Sequence, residues 1–206
     1  MSSVILTTLN ARYIHSSLGL RYLKANMEEL HDQTKIIEFT INTRPIDIAE
    51  KLLHENPQII GFGVYIWNIQ QTTEVVKLIK TIRPDIALVI GGPEVSYEYE
   101  NQEIFKTADY LIPGQADKSF KTLCRNILDE HLPDNKLVPV KSFLPDDLAF
   151  PYQEYTDEDI KNRVIYVEAS RGCPFKCEFC LSALDKTVTP FNLKRFLYEM
   201  QCLYDR

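Results

Sequence analysis

Residues 59–92, IIGFGVYIWNIQQTTEVVKLIKTIRPDIALVIGG, decide the fold. The run from Ile59 to Ile66 is short and apolar, the length of a strand, and rich in side chains that suit a pleated sheet. Val75, Leu78, Ile79 and Ile82 then recur at helical spacing, so an amphipathic helix follows with one face to bury. Arg83-Pro84 stops it, because a proline ring clashes with helical backbone at the residue before it. Ala87 to Ile90 is a second apolar run, closed by Gly91-Gly92. A strand, a helix that covers it and another strand form the unit from which parallel sheets are assembled.

The same rhythm recurs on both sides. Val4 to Leu9 and Ile36 to Ile41 precede this stretch, and Tyr110 to Ile112 follows it. Between the runs, Leu18, Tyr22, Leu23, Met27 and Leu30 keep helical spacing, as do Ile46, Ala49, Leu52 and Leu53. Asn56-Pro57 leads from the second helix into the third strand. The reading is an α/β, doubly wound, parallel five-stranded Rossmann-like domain over residues 1–131, with the flavodoxin-like order 2-1-3-4-5. From 132 to 162 the texture changes: Pro133, Pro139, Pro145, Pro151 and the acidic Asp157-Glu158-Asp159 predict an ordered linker. Over 163–206 the sequence predicts a strand from Arg163 to Glu168, a cysteine-rich loop and an amphipathic helix from Leu193 to Leu203. A lone strand–loop–helix unit leaves apolar faces uncovered, so the expectation is that the natural protein continues past Arg206.

Composition narrows the function. The 206 residues carry 45% hydrophobic side chains, a formal net charge of -6 and no Lys/Arg run, which disfavours nucleic acid as a partner. The N-terminus has no secretory pattern, and no window approaches the roughly 18 apolar residues of a membrane span. The expected location is the cytoplasm. Five cysteines, three of them between 173 and 180, suit a reducing compartment in which thiols serve metals. Cys124 and Cys202 each sit singly in amphipathic helices, where small buried side chains are expected. His31, His54 and His131 fall near helix ends in polar surroundings and are read as solvated caps.

Ser170-Arg-Gly-Cys173-Pro-Phe-Lys-Cys177-Glu-Phe-Cys180 places three thiols within eight residues, on a loop after a strand. A structural zinc site normally takes four ligands, and the nearest candidates for a fourth are Cys202 and His131. Three cysteines on a cubane cluster would leave one iron open for a cosubstrate. The C-x3-C-x2-C spacing, with Phe179 before the last cysteine, resembles the signature of radical S-adenosylmethionine enzymes. That resemblance implies that Cys173, Cys177 and Cys180 ligate a 4Fe-4S cluster and that the open iron is chelated by S-adenosylmethionine. It also implies that Phe179 lies near the adenine, and that a reductant such as flavodoxin or ferredoxin supplies the electron that yields the 5'-deoxyadenosyl radical.

In an open parallel sheet, ligands lie beyond the carboxyl ends of the strands where strand order reverses. Here that brings Asn10 to Gly19 beside Tyr65 to Gln70, with Gly91-Gly92-Pro93-Glu94 adjoining. The first loop reads Asn-Ala-Arg-Tyr-Ile-His rather than G-x-G-x-x-G, which disfavours dinucleotides. The first and third runs end in Leu9-Asn10 and Tyr65-Ile66-Trp67 without a phosphoacceptor aspartate. A Rossmann-like domain just before a radical S-adenosylmethionine signature resembles the cobalamin-binding domain of B12-dependent radical enzymes, and Gly91-Gly92 matches the glycine pair after its fourth strand. The resemblance makes Asn10, Arg12, Tyr13, His15, Tyr65, Trp67, Asn68, Gly91, Gly92, Pro93 and Glu94 the candidate cobalamin contacts. The D-x-H-x-x-G ligand motif is absent, since Asn10, His15 and Gly19 stand at other spacing, and Gly63-Val64-Tyr65 replaces S-x-L. Cobalamin would therefore lack a histidine lower ligand, leaving His15 to loop hydrogen bonding. The expected protein is the N-terminal part of a B12-dependent radical enzyme, with methyl transfer as a candidate reaction, completed by the rest of its own barrel and inactive as this segment alone. The alternative is a non-catalytic Rossmann-like module for partner binding or sensing, with a zinc-type or unligated cysteine cluster.

Overall fold

The structure, a computed structural model, describes residues 2–175, 177–181 and 187–206. Five parallel strands, β1 (Val4–Asn10), β2 (Thr34–Thr40), β3 (Ile59–Gly63), β4 (Ala87–Gly91) and β5 (Tyr110–Ile112), form one sheet in the order β2-β1-β3-β4-β5. The order matches the sequence expectation and sets the reversal between β1 and β3. Helices α1 (Leu18–Ala25), α2 (Pro45–His54), α3 (Ile69–Ile82), α4 (Glu103–Thr107) and α5 (Asp117–Leu128) connect the strands. Alternate strand residues point to opposite faces. Ile5, Leu9, Ile60, Leu88 and Ile90 therefore meet α2 and α3 on one face, through Ile48, Leu52, Val76 and Ile79. Val4, Leu6, Ile59, Val89 and Ile112 meet α1 and α5 on the other, through Leu20, Phe120 and Leu123. Each such fully buried aliphatic side chain contributes about 1.5–3 kcal/mol of transfer free energy.

The third strand stops at Gly63 rather than Ile66. Asn68 Oδ1 accepts the Tyr65 N–H at 2.8 Å and the Asn68 N–H donates to the Tyr65 carbonyl at 3.0 Å, which turns the chain into α3. Residues past 131 build a third apolar cluster: Leu148, Phe150, Tyr152 and Tyr155 pack with Tyr22 of α1, Phe191, and Phe196 and Met200 of a C-terminal helix. That segment contains α6 (Asp157–Asn162), started by a Thr156 and Asp159 capping box.

The strand expected from Arg163 to Glu168 is not formed. Apart from an isolated bridge between His15 and Val164, no strand pairs with it among the described residues. Tyrosine hydroxyls take the place of a neighbouring backbone. Tyr155 Oη donates to the Tyr166 carbonyl at 2.8 Å and accepts its N–H at 3.2 Å, and Tyr152 Oη does the same for Glu168 at 3.2 and 3.3 Å. The pairing begins later, with β6 (Ser170–Gly172) antiparallel to β7 (Val188–Pro190), followed by α7 (Leu193–Tyr204).

His31 is not a solvated cap. Its Nε2 lies 2.7 Å from Glu154 Oε1, joining the 3-10 turn Glu28–Gln33 to the turn Tyr152–Glu154, with Lys24 on the other carboxylate oxygen at 2.8 Å. The hydrogen bond to Glu154 holds the imidazolium above the ordinary histidine range. A raised folded-state value means that the stabilisation is complete below the unfolded pKa, about 6.5, and is lost as pH rises through the folded value. The ring is 39% exposed, so the effect is about 0.5 kcal/mol. Urea midpoints of the wild type, relative to His31→Gln, are expected to fall between about pH 6 and about pH 8. A constant difference across that range would contradict the pairing.

Candidate functional site

A cavity of about 570 Å³ opens at the carboxyl ends of the strands. All seven glycines of the chain line it. Gly61 and Gly63 of β3, with Gly91 and Gly92 at the end of β4, leave bare backbone along the floor. Gly114 after β5, Gly19 of α1 and Gly172 of β6 thin the walls. The floor is fixed in shape. Gly92 has φ +112°, and a Cβ there would stand 2.5 Å from the Val64 carbonyl oxygen; one at Gly61 would meet the Phe120 ring at 2.9 Å. Leu20, Phe62, Ile112 and Phe120 supply apolar walls, while Gln115, Asp117, Glu168 and Arg171 give a polar rim. A concave, largely apolar space with a few convergent polar groups accepts a large, flat organic ligand pressed against backbone.

Four residues named from the sequence line this cavity: Tyr65, Gly91, Gly92 and Pro93. Tyr65 stacks on Trp67 with ring centroids 4.6 Å apart and planes 6° apart, and burial pushes its phenol up. Trp67 is half exposed beside it, its indole N–H donating to the Leu9 carbonyl at 3.2 Å. The others are occupied elsewhere or exposed. Asn68, 1% exposed, spends its amide protons on Thr8 Oγ1 and the Leu9 and Gly63 carbonyls, tying β1 to β3. Asn10 donates to Glu38 and to the His15 carbonyl. His15 Nδ1 lies 2.6 Å from Tyr166 Oη. Tyr13 lies under the Arg163 guanidinium at 4.6 Å, Arg12 is exposed and Glu94 is half-buried.

Loop residues 13–16 are joined to residues 163–166. The Val164 N–H donates to the Ile14 carbonyl and Ser16 Oγ to the Val164 carbonyl, both at 2.8 Å. Beneath them, Arg21 and Arg163 share the buried Glu38 carboxylate, with Asp159 completing the group. From there the chain crosses the carboxyl edge of the sheet to the β5 side, where Arg171 forks onto Asp117 at 2.7 and 2.9 Å. Glu168, Ser170, Arg171 and Gly172 of this crossing segment line the cavity. Sequence reasoning did not single out Asp117, Gln115 or Arg171 as site residues. Pro113-Gly114-Gln115 directly after the fifth apolar run was the available signal, because it stands where the other strand-end loops stand.

The cysteine loop follows this segment. Cys173 is half-buried, Cys177 and Cys180 are exposed, and all three thiols are free. The Cys180 N–H donates to the Cys177 carbonyl at 3.1 Å, and Phe179 is 94% exposed. Lys176 lies outside the described residues. Among the described residues no three His, Cys, Asp or Glu side chains are gathered to hold a metal. The donor chemistry nonetheless suits iron: three soft ligands on one accessible loop. Cys124 is buried, and burial pushes its thiol up; Cys202 is half-buried on α7. No helix among the described residues is long and apolar enough to cross a membrane.

Comparisons with known proteins agree with this geometry. The family described as B12 binding domain matches residues 4–123. An uncharacterized methyltransferase of Pyrococcus horikoshii is 26% identical over 91% of this chain and 45% of its own length. The cobalamin-dependent radical S-adenosylmethionine methyltransferase TokK of Streptomyces tokunonensis is 27% identical over 70% of this chain and 25% of its own. The chain thus spans less than half the length of these curated relatives. The structure of the cobalamin-dependent S-adenosylmethionine radical enzyme OxsB with aqua-cobalamin bound superposes with a TM-score of 0.69 at 17% identity, covering 98% of this chain and 32% of that one. The last likeness establishes a shared fold.

Proposed function

Because this chain belongs to the B12-binding domain family, we propose that its glycine-lined cavity holds cobalamin and that Cys173, Cys177 and Cys180 hold a 4Fe-4S cluster that takes S-adenosylmethionine. In this reading residues 1–131 are the cobalamin domain, 132–162 the linker and 163–206 the start of a radical S-adenosylmethionine barrel. The whole protein is a cytoplasmic enzyme, most simply a methyltransferase, supplied with electrons by a flavodoxin or ferredoxin. The observation that carries the proposal is the gathering of every glycine of the chain around one cavity at the carboxyl ends of β3, β4 and β5. A corrinoid with its nucleotide tail is broad and needs backbone rather than side chains beneath it. Cobalamin and the cluster supply, when bound, methyl-transfer and one-electron chemistry that no side chain of this protein offers.

The chain's own residues bind and orient. Gly91 and Gly92 let a tail lie on the strand ends, Pro93 and Glu94 border them, and Tyr65 and Trp67 present a rigid stacked aromatic face. His15 is held by Tyr166, Asn10 by Glu38 and Asn68 by three carbonyl or hydroxyl oxygens, so they shape the loops around the cavity rather than ligate cobalt. Arg12 and Tyr13 are exposed on the loop after β1, and Phe179 stands free to meet the adenine of S-adenosylmethionine. Titrating hydroxocobalamin against the full chain is expected to shift the cofactor's absorption spectrum. Anaerobic reconstitution is expected to load iron and sulfide in the wild type and to lose that uptake in Cys177→Ala. An unshifted spectrum would refute the cobalamin site. Tight zinc uptake without cluster absorbance would favour the non-catalytic binding module instead.

A further inference from the structure

We infer that Arg171 is a positioning residue: it holds the cysteine loop in register with the cavity, so that a ligand in the cavity is felt at Cys173. The inference rests on the cobalamin reading above and adds the link between its two sites. Arg171 uses all three of its nitrogens. Nε donates to Glu168 at 3.1 Å, Nη1 to Gln115 at 3.1 Å and Asp117 at 2.7 Å, and Nη2 to Asp117 at 2.9 Å. Its guanidinium also lies 4.6 Å from the centre of the Tyr22 ring. Glu168, Gln115, Asp117 and Tyr22 all line the cavity, and they come from three separate parts of the chain. The side chain is 14% exposed and that of Asp117 is 7%, so the bidentate pair is shielded from solvent and holds a fixed geometry. Asp117 opens α5, a 12-residue helix, where a carboxylate is favoured by the helix dipole. Only Gly172 separates Arg171 from Cys173, and Gly172 both lines the cavity and pairs with Val188. A ligand that rests on Gly172 and the Arg171 cluster therefore restrains the first cysteine of the loop.

The test uses the full chain, free of iron, with cyanocobalamin as the probe and iodoacetamide alkylation of each cysteine followed by peptide mass spectrometry. In the wild type, saturating cyanocobalamin is expected to slow alkylation of Cys173 and to leave Cys202 unchanged. In Arg171→Lys and Asp117→Asn, Cys173 is expected to react about tenfold faster without ligand, as a loop freed from its charge-assisted bonds opens more often. Because both side chains line the cavity, both variants are expected to bind cyanocobalamin more weakly, and at a concentration shown by equilibrium dialysis to saturate each of them the protection of Cys173 is expected to be lost. Protection retained in the variants would show direct shielding by the ligand and overturn the inference. Alkylation of Cys173 at the wild-type rate in both ligand-free variants, with folding intact by circular dichroism, would show that Arg171 does not hold the loop and overturn it too. A wild type that binds no cyanocobalamin refutes the cavity reading itself, whereas one that binds it with Cys173 unprotected refutes only the link.

Discussion

Replacing Glu38 with alanine is expected to lower the unfolding free energy by about 3–5 kcal/mol, because it leaves two arginines facing each other without their shared partner. The Glu38 side chain is 5% exposed and has no acceptor position to spare. Oε1 accepts from Asn10 Nδ2 at 3.0 Å and from the Ser17 N–H at 2.6 Å; Oε2 accepts from Arg21 at 3.0 Å and Arg163 at 2.9 Å. A carboxylate offers about four such positions, and this one fills them all. With Asp159 the group is neutral, two positive charges against two negative. Removing Glu38 leaves one uncompensated charge in surroundings where Arg21 is 3% exposed. At about 2–4 °C per kcal/mol for a chain of this size, the melting temperature falls by roughly 10 °C. Urea and thermal melts check the value, and a loss below about 1 kcal/mol, the range of a surface pair, would contradict it. The double variant Arg21→Met with Glu38→Met is expected to recover most of the loss, since Arg163 and Asp159 remain paired at 3.5 Å.

None of that network was legible in the sequence, although the sheet around it was. The five strands declared themselves because each is an apolar run flanked by helical stripes, a local property that needs no knowledge of distant residues. β1 is buried along its whole length, and Thr7 and Thr8 are buried with it. Glu38 inside the second run was a visible anomaly, but its partner Arg163 lies 125 positions away, and the Arg21–Asp159 contact spans 138. A single sequence carries no such distances. The misplaced strand at 163–168 has the same origin: its apolar run from Val164 to Val167 is real, but pairing depends on what lies alongside, and here two tyrosine hydroxyls do. At the cavity, Gly91-Gly92 was conspicuous because the two glycines are adjacent. Gly61 and Gly63 lie some 30 positions upstream, and only the parallel register sets them beside Gly91 on one floor. Arg171 stood in plain view beside the cysteines, with its partner Asp117 54 positions upstream.

The floor gives the second large effect. Gly92→Ala is expected to cost more than about 3 kcal/mol, through two causes that add. At φ +112° a side chain is strained by about 1–3 kcal/mol before any contact is made. The new Cβ would also stand 2.5 Å from the Val64 oxygen, 2.9 Å from its nitrogen and 3.2 Å from its carbonyl carbon, all backbone, so no side chain can move aside. Relief requires shifting Val64, whose N–H donates to the Gly91 carbonyl at 2.8 Å, which breaks the last hydrogen bond between β3 and β4 and deforms the cavity. Hydroxocobalamin affinity is therefore expected to fall by at least about tenfold, equivalent to about 1.4 kcal/mol. Gly19→Ala on the same cavity is the contrasting case. Gly19 lies in α1, and its added Cβ meets only Tyr65 Oη at an ordinary 3.7 Å, so stability is expected to rise by about 0.5 kcal/mol. Opposite shifts in melting temperature for these two alanines, with affinity lost only at Gly92, would show that the ligand depends on the strand-end backbone surface. Equal losses at both positions would mean that glycine serves the fold here and not the ligand.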